Sequence, residues 1–242
     1  MIRALLAAGV LAGGASAYPP PPREAPERLP PPTQADWQKS INNLKLIGVA
    51  CHNFHDAYGF LPSDITDKAG KPLLSWRVRI LPYLGRDDLV ALYKSFKLDE
   101  AWNGPTNFPL LKKLPTAYTP VRVKAKVGMT YYQGFAGPGA VFDPKNRRLT
   151  LTKISSEDGT SQTALVVEGG LAVEWTKPAD VPFAPKKELS RLGGQFDGAF
   201  AMLFCDGSVM RVKDDYDVRT MKAVITWNGG EEIDPDVLRK KK

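Results

Sequence analysis

Three residues near position 50 have the types and spacing to do chemistry: His52, His55 and Asp56, in the run Val49-Ala50-Cys51-His52-Asn53-Phe54-His55-Asp56-Ala57-Tyr58-Gly59. Two imidazoles one helical turn apart can share a metal ion, and a carboxylate beside them can complete the set. They are the two histidines of the chain, so any further ligand must be an acid or a thiol. The same groups at a helix end can simply hydrogen-bond a neighbouring loop, and that structural role is the expectation; no metal and no cofactor is expected. Trp76, Trp102 and Trp175 can offer stacking platforms to a sugar, although packing in a core accounts for each equally well. Nucleophilic catalysis needs a nucleophile, a base and an orienting group brought together. Ser63, Ser75 and Ser208 lie in no such setting, and Gly193-Gly194 and Gly229-Gly230 lack the strand-to-helix context of a phosphate loop. The chain is therefore read as not an enzyme.

The elements that position these residues follow from periodicity. Trp37, Ile41, Leu44, Ile47 or Gly48, Cys51, Phe54 and Tyr58 recur at steps of three and four, which predicts a helix. Thr33 or Asp36 can cap its start and Gly59 can take the left-handed position at its end. Leu61 to Lys71 reads as loop. Leu74 to Leu84 supports either a strand or a helix, with helix preferred; Asp87 to Phe96, Pro105 to Leu114 and Asp217 to Thr226 read as further helices. Thr130–Phe135, Leu149–Ile154, Ala164–Glu168 and Ala172–Trp175 are short β-rich runs. Phe200 to Cys205, Asp206-Gly207 and Ser208 to Val212 form a hairpin signal, with a type I′ turn expected at Asp-Gly. Helices come first and strands later, without βαβ rhythm. The expected fold is α+β, a long N-terminal helix packed on an antiparallel sheet, with additional short helices.

The two ends carry different information. Arg3, the apolar run Ala4–Ala12 and Ala15-Ser16-Ala17 read as a secretory signal over residues 1–17. Residues 18–33 read as a proline-rich linker, with eight prolines between Tyr18 and Pro32 favouring an extended spacer. The formal charge of +7 is concentrated in a basic tail, residues 239–242, which leaves the body at 34–238 nearly balanced. No basic stripe interleaved with aromatics is present, so nucleic acid is not an expected partner. After signal removal no integral membrane segment is expected, and the destination is periplasmic or secreted. In such a compartment Cys51 and Cys205 have two readings: a bridge between helix and strand, or two buried thiols.

The stretch Asn43 to Pro62 resembles the opening of a bacterial family known as domain of unknown function 1559, whose members resemble prepilins and pseudopilins. The resemblance continues through Leu74–Leu84, Leu92–Trp102, Glu157–Thr163, Val173–Pro178, Leu203–Val209 and Ile225–Glu231. Asn43, Gly59, Asp206 and Gly207 are its structural signature in this chain. Two departures stand out. The apolar stem expected of a prepilin is replaced by the segment from Tyr18 to Pro32. The family's His-x9-Asp-Gly signature keeps Asp206-Gly207 but has Phe196 where the histidine belongs. The resemblance implies a pseudopilin-like domain that does not polymerise through a stem. Its role is read as an envelope interaction or binding module, with an unknown envelope protein or glycan as partner. An extracytoplasmic solute or glycan binder is the alternative, and a metal-dependent hydrolase the second alternative.

Overall fold

A computed structural model describes residues 30–239 of the chain. The expected signal, most of the proline-rich linker and the last three lysines lie outside the described residues. The folded body, from Pro31 onward, is built around a 25-residue helix, α1 (Gln34–Tyr58). Both predicted caps act together at its start. Asp36 N donates to Thr33 Oγ1 at 3.1 Å, and Thr33 N donates back to Asp36 Oδ2 at 2.9 Å, a capping box. At its end Gly59 adopts φ 78° and donates its N–H to His55 O.

The order continues through β1 (Ile65–Thr66), β2 (Pro72–Leu74), α2 (Trp76–Arg79), α3 (Asp87–Ser95), β3 (Met129–Gln133) and β4 (Phe135–Ala136). It closes with α4 (Leu151–Ser156), β5 (Ala164–Glu174), β6 (Val181–Pro182), β7 (Ala199–Phe204), β8 (Val209–Lys213) and α5 (Val218–Ile225). The main sheet has strand order β3-β5-β7-β8, every neighbour antiparallel. The fold is α+β, with the long N-terminal helix laid on that sheet, as the patterning predicts.

Strand β7 shows why the helix sits there. All six of its residues are buried, and alternate side chains leave opposite faces of a strand. Ala199, Ala201 and Leu203 join Leu44, Ile47 and Cys51 of α1 in one core. Phe200, Met202 and Phe204 join Met221, Val224 and Ile225 of α5 in another. The strand is thus sandwiched between two helices, which explains an apolar run without polar alternation. Gly48 lets α1 come close: a Cβ there would lie 3.1 Å from Leu203 Cδ1.

Several sequence expectations need correction. Leu149–Ile154 is not a strand; Thr150 caps α4 by accepting Lys153 N at 3.1 Å, and a helical turn follows. The two runs predicted at Ala164–Glu168 and Ala172–Trp175 are one strand, β5, carried through Gly169-Gly170 and ending at Glu174. The Asp206-Gly207 hairpin exists, but only Gly207 has positive φ (85°), so the turn is not type I′. Gly207 N donates to Phe204 O at 3.0 Å and Phe204 N to Ser208 O at 2.9 Å, the pattern of a type I turn closed by a left-handed glycine. Tyr58, expected on the apolar stripe, is exposed, while Ser40 and Asn43 are buried.

Cys51 and Cys205 are not bridged. Both are free and fully buried. Burial pushes each thiol far above its ordinary range, away from the thiolate that disulfide chemistry requires. They pack as small apolar side chains.

Two measurements follow. Gly48→Val should lower stability by about 1–3 kcal/mol, because the added methyls must displace Leu203 in a filled core; an unchanged melting temperature would show that α1 is not seated on β7. Thiol titration of unreduced protein should find no rapidly reactive cysteine in the native state and two after denaturation. None after denaturation would restore the bridge.

Candidate functional site

The predicted chemical residues are held by backbone rather than by one another. His52 Nε2 lies 2.8 Å from Cys205 O, joining α1 to the end of β7. His55 Nε2 accepts Leu151 N at 3.2 Å, so its lone pair is spent on the start of α4. Asp56 is exposed, with its Oδ1 3.8 Å from His55 Nδ1. The histidines pin the end of α1, the structural role expected of them. Among the described residues no group of three or more His, Cys, Asp or Glu could hold a metal ion.

The tryptophan platforms need a larger correction. Trp76 and Trp175 are fully buried. Trp76 stacks on Phe142 at 4.8 Å and donates Nε1 to Asp180 Oδ2 at 3.1 Å. Trp175 donates Nε1 to Leu111 O at 2.9 Å and meets the edge of Phe96. Neither can stack on a sugar, because core packing has taken both faces. Trp102 is partly buried beside Phe108, with Lys177 Nζ 5.2 Å from its ring centroid. Of the signature positions, Asn43 is buried on the inner face of α1, and Phe196 stacks on Trp37 with centroids 4.0 Å apart. An aromatic core contact therefore stands where the resemblance implies a histidine.

Two polar assemblies emerge that the sequence reading did not single out. The first lies between α1 and the sheet. Glu168, on β5, is fully enclosed; Ser40 Oγ donates to its Oε1 at 2.5 Å and Ala201 N to its Oε2 at 2.7 Å. Tyr132 OH lies 3.0 Å from Ser40 Oγ and accepts Asn43 Nδ2 at 3.2 Å. Burial raises the Glu168 carboxyl to about 7, against the pull of its two donors. The available signal was polar residues on the buried face of a helix (Ser40 and Asn43, flanked by Trp37 and Leu44) and an acid closing the apolar run Ala164-Leu165-Val166-Val167.

The second assembly forms the floor of a small cleft. Ser75 caps α2 and directs Arg77 into the interior, where the side chain is completely buried. Its Nη2 reaches Asp180 Oδ1 at 2.5 Å, Nη1 reaches Ser75 Oγ at 2.7 Å and Nε reaches Tyr132 O at 2.9 Å. Asp180 also accepts Gly134 N at 2.7 Å. Gly134 is required here, since a Cβ would collide with the Phe142 ring. Such a buried pair is tolerated because each guanidinium nitrogen donates a hydrogen bond and the carboxylate accepts from Trp76 and Gly134 besides Arg77. Asp64 stands beside it, accepting Trp76 N at 2.9 Å. Burial and then the neighbouring Asp180 charge raise the Asp64 carboxyl to about 6. Asp64, Asp180, Phe142, Arg147 and three prolines enclose a space of about 130 Å³. That is below the roughly 300–1,000 Å³ of ordinary ligand pockets.

Comparison with known proteins adds a family. A family model described as "Protein of unknown function (DUF1559)" matches residues 38–155, from the first turn of α1 through most of α4. No curated protein and no solved structure matches the chain.

Glu168 sets a pH dependence with a definite sign. Its folded value of about 7 lies above the ordinary 4.5, so the folded state holds the proton more tightly than the unfolded one. A shift of this size corresponds to roughly 3 kcal/mol. That stabilisation is complete below pH 4.5 and is lost as the pH rises through 7. Asp64 acts in the same direction between 3.8 and about 6. Urea unfolding should therefore show stability falling from acid toward neutral pH. Glu168→Gln should flatten the upper part of that fall and leave the part due to Asp64. A variant whose profile overlays that of the native chain would remove Glu168 from the account.

Proposed function

We propose, from the premise that over residues 38–155 this chain belongs to the family described as "Protein of unknown function (DUF1559)", that it is an exported, non-enzymatic, pseudopilin-like module. It works in the periplasm or outside the cell by binding an envelope partner. The observation that carries this reading is α1 seated on the antiparallel sheet with its other face open. Leu46 and Val49 on that face are 49% and 56% exposed. Among the described residues no helix is long and apolar enough to cross a membrane. The reading is further supported by where the perturbed acid lies: Glu168 is shut between helix and sheet, where it joins elements and meets no solvent.

The other readings draw less support. A glycan binder resting on tryptophans loses Trp76 and Trp175 to the core. A hydrolase centred on His52, His55 and Asp56 finds both Nε2 atoms engaged with backbone.

Cell fractionation tests the proposal. The mature chain should appear in the periplasmic or extracellular fraction and be released by carbonate or high-salt washing. A chain that remains integral to the membrane, or that is retained in the cytoplasm, overturns it.

A further inference from the structure

The face of α1 turned away from the sheet carries a second stripe that the core does not use. Lys39, Asn42, Leu46, Val49, Asn53 and Asp56 recur at alternating steps of three and four, the spacing of a coiled-coil seam. All six are exposed, the Asp56 side chain by 79%. The stripe is self-complementary. Reading inward from either end gives a charge, a carboxamide and then an aliphatic side chain, and the two end charges are opposite in sign. If a second α1 is laid antiparallel across the first, about an axis at the level of Ile47 and Gly48, Leu46 faces Val49 of the second copy. In the same register Asn42 faces Asn53 and Lys39 faces Asp56 of that copy. Each contact then occurs twice, as an isologous interface requires.

The groups are available for these contacts. Among the described residues Lys39 has no ion pair, and Asp56 has only His55 Nδ1 at 3.8 Å. Asn42 Oδ1 accepts Gln38 Nε2 at 2.9 Å, which leaves the Asn42 amide to donate to Asn53 of the second copy. Lys45 flanks the apolar pair, where its stem can cover Leu46 while its ammonium stays in water. A parallel pairing would instead set Lys39 on Lys39 and Asp56 on Asp56. We infer that this face of α1 is a self-recognition surface, through which two copies of the chain pair antiparallel. The carboxamides fix the register, as a polar residue within a seam does. From Lys39 to Asp56 the contact runs for roughly 26 Å of helix. With two aliphatic side chains from each copy, it belongs with weak, transient associations. The surface is the same open face of α1 invoked under the proposed function, with a second copy as what covers it, and the pairing does not depend on where the chain resides.

Sedimentation equilibrium of the whole chain, from about 1 µM to about 1 mM, tests the pairing. The native chain should pass from monomer to dimer within that range. Leu46→Glu should weaken the dimer by about tenfold or more, with circular dichroism and melting unchanged because residue 46 faces solvent. Lys39→Glu and Asp56→Lys should each weaken self-association by about threefold or more, since each makes like charges meet at both ends of the seam. Mixed in equal amounts, those two variants should pair about as tightly as the native chain, because the mixed dimer again sets opposite charges at both ends. In a parallel pair the single charge reversals would change nothing, as like charges already meet there. A chain that stays monomeric throughout, a dimer indifferent to Leu46→Glu or to either charge reversal, or a mixture no tighter than its components overturns the inference. A monomer that fractionation still finds outside the cytoplasm removes the dimer and leaves the exported module standing.

Discussion

The burial of α1 on the central strand β7 is the constraint from which the rest of the structure follows. An amphipathic helix of 25 residues cannot stay folded with its apolar face in water, and β7 offers Ala199, Ala201 and Leu203 as the complementary surface. Gly48 sets how closely the two approach. Once helix and strand are joined, the other face of β7 must also be covered, and α5 does this through Met221, Val224 and Ile225. His52 and His55 then fasten the helix end to Cys205 and Leu151, so the groups that first suggest chemistry serve the same seam.

Polar groups inside that seam fix its register. Apolar contacts are tolerant of sliding; a carboxyl that must meet Ser40 Oγ and Ala201 N at once is not. Glu168 therefore costs desolvation and contributes definition, a role well attested for some buried polar residues. Arg77 does the same across the sheet edge. One guanidinium joins α2, β3 and the loop before β6 through Ser75, Tyr132 and Asp180. The two assemblies meet at Tyr132, whose hydroxyl serves the first and whose carbonyl serves the second.

Position 196, where the resemblance implies a histidine, has a physical substitute. Phe196 stacks on Trp37 near the start of α1, and the Arg122 and Arg211 guanidinium carbons lie 5.9 Å from the Phe196 ring and 4.6 Å from the Trp37 ring. An aromatic pair thus braces the helix start where a histidine would introduce a titratable group. The Asp206-Gly207 turn persists because only its glycine must adopt positive φ, a demand independent of residue 196.

Local rules in the sequence were enough to determine α1, its Thr33 cap and Gly59 stop, the β7–β8 hairpin and the α+β order. Each depends on spacing within one element, and spacing is what a sequence displays. Tertiary structure decided the rest. Leu149–Ile154 became helical because Thr150 could cap it, and β5 ran on through two glycines because β3 pairs with the residues before and after them while the segment 191–193 bonds the glycine stretch itself. Trp76 and Trp175 went inward, and Asp64, Arg77, Glu168 and Asp180 came to matter, through partners between 12 and 128 positions away. Neither desolvation nor a countercharge is a property of a residue alone; both exist only after folding has chosen which side chains share an interior.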